Sequence, residues 1–119
     1  MPAGRDGREL TSLIRAELEM AHGARAEGNE GRARVCARRA AGWAVQTIHS
    51  VAQPDTVQDG NAYRMLEWFQ SDEQFPVHLR EAAMRLTTRV RHDSTLPFEQ
   101  DLLEDAELIV RWVLRNVRE

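Results

Sequence analysis

Apolar residues recur every three or four positions along most of this chain, which is the spacing of one face of an α-helix. A first helix is predicted from about Glu9 to Glu27. The Gly28-Asn29 pair follows it and supplies both a helix-ending glycine and an asparagine that can cap a second helix. That second helix is predicted to continue to about Ala52, and its apolar side consists of Ala33, Ala37, Ala40, Ala41, Ala44, Ile48 and Val51.

The second half of the chain continues the helical period in three further stretches. A third helix is predicted from Ala62 to Gln70 and a fourth from Val77 to His92. Pro97 suits the first turn of a last helix, whose apolar positions are Phe98, Leu102, Ala106, Ile109, Val110, Val113 and Val117. No segment alternates in the manner of a strand. The predicted fold class is therefore all-α, an antiparallel bundle of four to five helices.

The length of 119 residues fits one domain. We expect a flexible N-terminal segment over residues 1–8 and a single helical domain over residues 9–117. Cys36 is the single cysteine and lies within the apolar arc of the second helix, so it is expected to be a buried thiol. The sequence contains neither a signal-peptide core nor an apolar run near the ~18 residues of a membrane span. We therefore expect a cytoplasmic protein with no membrane contact.

Charge is segregated along the chain. All 16 basic residues are arginines, and 19 acidic residues give a net charge of −3, which argues against a protein that coats nucleic acid or membranes. Residues 28–53 nevertheless carry four arginines against one glutamate, and residues 77–97 carry four against two acids. These two stretches predict either a surface that faces phosphate groups or solvated helix faces without a ligand.

The strongest candidate site lies on the predicted fourth helix. Arg85, Arg89 and His92 are separated by four and three positions, which places them on one stripe away from the apolar face. A neutral imidazole can take a proton from a ribose 2′-hydroxyl, and guanidinium groups can hold the phosphate that this hydroxyl attacks. Arg85 and His92 are therefore candidate catalytic residues, and Arg89 is a candidate phosphate ligand. A solvated basic face is the alternative explanation.

Metal binding is a weaker hypothesis. The spacing Glu19-x-x-His22 occurs in carboxylate-bridged di-iron bundles, but such a site needs a second pair of the same kind, and the sequence has none. There is also no cysteine pair for zinc. We expect Glu19 and His22 to be a surface pair, and we expect no metal and no cofactor.

Two helices have apolar arcs that are wider than the edge of a small bundle requires. The second helix is apolar over roughly 200°, from Trp43 to Val45, and the last helix is similarly wide from Trp112 to Leu114. The excess width predicts a homodimer that uses the second or the last helix, and Trp112 is the position at which to test the interface. The alternative is that the short third helix covers both arcs within one chain.

Taken together, these elements resemble the HEPN domains, a family of small helical modules. The Ala-rich segment from Gly28 to Gly42 looks like the small-residue helix of that family, and the long apolar last helix is similar too. The family's ribonuclease motif is an arginine followed after four to six residues by a histidine, near the end of the helix before the last. Arg85 and His92, with six residues between them, match this pattern.

The resemblance implies two functions. Active HEPN members are metal-independent RNA endonucleases whose motifs meet across a dimer cleft, and many are toxins with a small nucleotidyltransferase as antitoxin. This implies that Arg85 and His92 would be catalytic, with Arg89 assisting on the phosphate. Other members are not catalytic. The alternative is therefore a HEPN-like module that dimerises and binds a nucleotide or a partner protein.

Overall fold

The computed structural model describes residues 7–52, 61–88 and 100–116 of the chain. Over these ranges the chain forms five helices and no strand, which confirms the predicted all-α fold class. The helices are α1 (Gly7–Ala26), α2 (Glu30–Ala52), α3 (Ala62–Ser71), α4 (Val77–Leu86) and α5 (Leu102–Asn116). They pack around one hydrophobic core to which every helix contributes.

Helix α2 is the centre of the bundle. It packs against α1, α3 and α5, so buried residues occur around most of its circumference. Small side chains dominate this buried surface and allow the neighbouring helices to approach closely: Ala33, Ala37, Ala40, Ala41 and Ala44 are all fully buried. The wide apolar arc of α2 is therefore covered by helices of the same chain.

The Trp112 side of the α5 arc is also covered within the chain. The Trp112 ring is partly buried and makes edge contacts with Phe69 and Phe75, at centroid distances of 6.2 and 5.8 Å. Phe69 belongs to the short helix α3, which is the covering element of the alternative considered above. The homodimer stays a prediction, and Trp112 packs, partly buried, against the core of its own chain.

The junction between α1 and α2 follows the sequence prediction closely. Gly28 adopts a φ of +82°, the left-handed conformation that glycine tolerates best. The Asn29 N–H donates to the carbonyl of Ala24 at 2.8 Å, and its Oδ1 accepts a bond from the Arg32 N–H at 3.1 Å. One asparagine thus closes α1 and caps α2.

Two predicted boundaries in the second half were wrong. Helix α4 ends at Leu86 rather than His92, because Thr87 and Thr88 turn their hydroxyls back onto the carbonyls of the preceding turn. Helix α5 begins at Leu102 rather than Pro97, and Asp101 caps it by accepting the N–H of Leu103 at 3.0 Å. The apolar positions Phe98 and Val117 lie outside the described residues.

An ion-pair cluster joins three helix ends. The Arg25 guanidinium donates to Glu30 at 3.0 and 2.6 Å and to Asp101 at 2.7 and 2.9 Å. Arg25 lies in the last turn of α1, whereas the two carboxylates lie at the starts of α2 and α5. Each charge therefore opposes the partial charge of the helix end that carries it, which stabilises all three ends.

This cluster predicts an acid-dependent loss of stability. Hydrogen bonds from Arg25 hold the pKa of Glu30 below its ordinary 4.5 and the pKa of Asp101 below its ordinary 3.8. The folded chain therefore binds these protons less tightly than the unfolded chain, so the stabilisation is complete above about pH 5 and is lost as pH falls through the lowered pKa values. Arg25→Gln should make the free energy of unfolding less dependent on pH in this range, as measured by urea unfolding followed by circular dichroism. The exposed control Arg115→Gln should keep the wild-type pH profile, and an unchanged profile in Arg25→Gln would contradict the prediction.

The crossing of α2 and α3 yields a second prediction. A Cβ atom at Gly42 would lie 2.5 Å from the Cβ and 2.7 Å from the Cα of Ala62. Gly42→Ala should therefore destabilise the fold by about 1–3 kcal/mol, because one of the two backbones must move. The matched control is Gly23→Ala on α1, where no atom lies within 4 Å of the added methyl group. That variant should be stabilised by about 0.5–1 kcal/mol through helix propensity. Thermal unfolding of the pair measures the opposite signs, and stabilisation of both variants would contradict the close approach.

Candidate functional site

Arg85 lies in the last turn of α4 and reaches across to α5. Its Nε and Nη2 atoms donate to Oδ2 and Oδ1 of Asp105, each at 2.9 Å, in a two-point pair. The side chain of Arg85 is 17% exposed and that of Asp105 is 4% exposed. The expectation that Arg85 lies on a stripe facing solvent or an open cleft was therefore wrong, because the side chain bridges two packed helices.

The pairing changes what the Arg85 charge can do. Hydrogen bonds to Asp105 raise the pKa of Arg85 above its ordinary value, so the guanidinium stays charged. That charge is balanced at short range by a buried carboxylate. The bonded edge, formed by Nε and Nη2, is also one that could bind a phosphate at two points. An incoming phosphate would have to displace Asp105 or approach the end of the guanidinium, where Nη1 and the second N–H of Nη2 are not used by Asp105.

Arg89 and His92 lie outside the described residues. Helix α4 ends at Leu86, so the helical spacing that predicted a common stripe does not extend from Arg85 to either residue. Of the three candidate site residues, the structure therefore describes Arg85 alone and brings it together with Asp105.

Asp105 is the functional partner that the sequence analysis missed. It lies on the apolar side of α5, between Leu102 and Ile109 at helical spacing, and is 3% exposed. An acidic residue at a core position of an amphipathic helix needs a cationic partner, because an unpaired buried charge is strongly unfavourable. That signal was present in the sequence and pointed to an arginine on a neighbouring helix.

A second arginine holds the same end of α4. Arg38 of α2 donates from Nε to the carbonyl of Leu86 at 2.7 Å, which satisfies one of the free carbonyls at the helix end. Its guanidinium carbon also lies 4.6 Å from the centroid of the Tyr63 ring on α3. Arg38 thus connects α2, α3 and α4, and its charge is directed into the protein.

Most of the basic stretch of α2 is used in this way. Arg34 lies 3.8 Å from a Glu30 carboxylate oxygen, and Arg39 donates to the buried carboxylate of Glu17 at 3.0 Å. Three of the four arginines of this helix therefore have partners within the chain. This geometry supports the interpretation of the stretch as structural charge rather than as a phosphate-facing surface.

The residues considered for metal binding lie at the surface of α1. Glu19 and His22 are exposed, and the Nε2 atom of His22 lies 3.6 Å from a carboxylate oxygen of Glu107 on α5. No group of three histidine, cysteine or acidic side chains within residues 7–52, 61–88 and 100–116 could hold a metal ion. Cys36 is buried as predicted, and its pKa is raised chiefly by burial and secondly by the nearby charge of Glu17.

Within the described residues, no helix is both long enough and apolar enough to span a membrane.

Comparisons of the chain with protein-family models, with curated proteins and with solved structures gave no match. The HEPN resemblance therefore stays a prediction.

Removal of Arg85 should destabilise the fold. Arg85→Ala leaves the Asp105 carboxylate buried without its partner, which should lower the free energy of unfolding by about 3 kcal/mol. The double variant Arg85→Ala with Asp105→Ala should lose less than the sum of the two single changes, because the unpaired charge is gone. Urea unfolding of the four proteins of this cycle gives the coupling energy. Additive losses, or an Arg85→Ala variant as stable as wild type, would show that the pair does not hold α4 to α5.

Proposed function

We propose that this protein is a non-catalytic, HEPN-like helical module that binds a partner protein. The observation that supports this function is the two-point bond between Arg85 and buried Asp105. It gives the arginine of the candidate ribonuclease motif a structural role in joining α4 to α5. Phosphate binding at that edge is unfavourable, because it would leave Asp105 unpaired in the core.

Partner recognition through protein contacts fits better than recognition of a nucleotide. Phosphate groups are held by arginines with free donors, and part of the basic stretch is already engaged. Arg38 and Arg39 each donate one hydrogen bond within the chain, and Arg34 lies 3.8 Å from a Glu30 carboxylate oxygen. Large apolar side chains, by contrast, are exposed by 40% or more on all five helices: Met20, Val35, Val51, Tyr63, Val77, Met84 and Leu108. Exposed Met and Tyr side chains are typical of surfaces that contact other proteins.

A second candidate function is that of a metal-independent endoribonuclease. Arg85 and His92 would be its catalytic motif, and Arg89 would bind the phosphate. One observation favours it: Asp105 fixes the Arg85 guanidinium in a single orientation, and a catalytic group benefits from such support. In that case a dimer would bring two motifs together, and a small nucleotidyltransferase would be the expected antitoxin. His92, its candidate catalytic histidine, lies outside the described residues. The non-catalytic module is our first proposal because Asp105 already occupies one edge of the Arg85 guanidinium.

RNA cleavage distinguishes the two functions. Purified protein is incubated with unstructured RNA in the presence of EDTA, and with DNA of the same sequence as a control. We expect both to remain intact. Cleavage of RNA to 2′,3′-cyclic phosphate ends, reduced by about 10²- to 10⁴-fold in His92→Ala, would contradict the non-catalytic proposal. Equal cleavage by wild type and His92→Ala would identify a contaminating nuclease.

A further inference from the structure

Helices α1 and α5 lie side by side on α2 but touch each other only lightly. The space between them is a surface groove of about 230 Å³ whose wall and floor include Leu18, Val110 and Leu114. Val110 is buried, and the two leucines pack against the core with part of their surface open. The groove thus offers a strip of apolar surface between two helices.

Two arginines flank this strip from opposite sides. Arg15 on α1 and Arg111 on α5 are exposed and line the groove. Neither guanidinium forms a hydrogen bond or ion pair with the described residues, unlike Arg25, Arg38 and Arg85. The acidic lining residue, Glu107, instead has His22 within 3.6 Å. The groove lining therefore carries two arginines against one glutamate, a net positive charge beside an apolar floor.

We propose that the α1–α5 groove binds an acidic amphipathic helix of a partner protein. Apolar residues at positions i, i+3, i+4 and i+7 of that helix would contact Leu18, Val110 and Leu114, while its acidic side chains would face Arg15 and Arg111. The groove is smaller than the 300–1,000 Å³ range common for small-molecule pockets, but an open trough between two helices suits a third helix packed about 8–10 Å away. The inference rests on the proposed binding function and names its partner class.

Charge also determines which helix fits. A second copy docked through the same groove would bring a lining of the same net positive charge, two arginines against Glu107, and like net charges at close range are unfavourable. A helix from a different protein with acidic flanks avoids this repulsion. The groove is thus complementary to an acidic partner and poorly complementary to itself.

The test uses the full-length protein and two synthetic helical peptides. Both carry leucines at i, i+3, i+4 and i+7, and the remaining positions are glutamates in one peptide and lysines in the other. Fluorescence anisotropy should show tighter binding of the glutamate peptide. The double variant Arg15→Glu with Arg111→Glu should lower this preference by at least about tenfold, since two exposed charge contacts change sign. The matched control Arg32→Glu with Arg115→Glu reverses two exposed arginines outside the groove and should keep the preference.

Each remaining outcome overturns the proposal. Equal binding of the two peptides, no binding of either, or an unchanged preference in the groove variant would show that the groove does not select an acidic helix. In an NMR titration, changes in amide chemical shifts at α3 and α4 instead of α1 and α5 would place peptide binding outside the groove. That result would overturn the groove proposal but not the proposed partner-binding function. Dimerisation that is altered by the groove variant would identify a second copy as the occupant. RNA cleavage in the previous assay would remove the proposed function itself, independently of the peptide result.

Discussion

The close packing of α2 constrains the rest of this structure. Its fully buried alanines, and Gly42 at the crossing with α3, keep the surrounding helices near its backbone. Large side chains such as Ile14 and Phe69 therefore come from the neighbouring helices and fill the space around α2. With one helix enclosed on several sides, a chain of this size forms its core from itself. The broad apolar arc of α2 thus reflects its central position in the bundle.

The elements that the sequence predicted well are those determined by local chemistry. Gly28 and Asn29 end α1 and start α2 through bonds to residues at most five positions away, so the pattern alone was sufficient. The end of α4 depends on a distant residue as well. Arg38, 48 positions earlier in the chain, binds the carbonyl of Leu86, and no window around Leu86 contains that information. The apolar residues keep their helical spacing beyond Leu86, so the spacing alone does not show that α4 ends there.

The same difference between local and distant information explains the candidate site. The helical spacing correctly places Arg85 on a different side of α4 from the leucines. That side does not face solvent, however. Asp105 occupies that side because α5 packs there, and the buried carboxylate makes the arginine a structural partner. The acid on the apolar side of α5 was the available clue. Its partner could not be chosen from the sequence, since several arginines on other helices met the same requirement.

The arginines finally provide a physical basis for distinguishing structural from functional charge in a protein without lysine. A guanidinium that bridges helices through two or more bonds, as in Arg25 and Arg85, is oriented by the fold and loses much of its attraction for an external anion. A guanidinium beside an apolar groove, as in Arg15 and Arg111, forms no bond with a carboxylate of the described residues and lies where apolar contacts can add to its charge. Charge alone binds weakly at a solvated surface, and apolar burial alone is not selective. Because the α1–α5 groove combines both features, its affinity and its selectivity would arise from the same few residues.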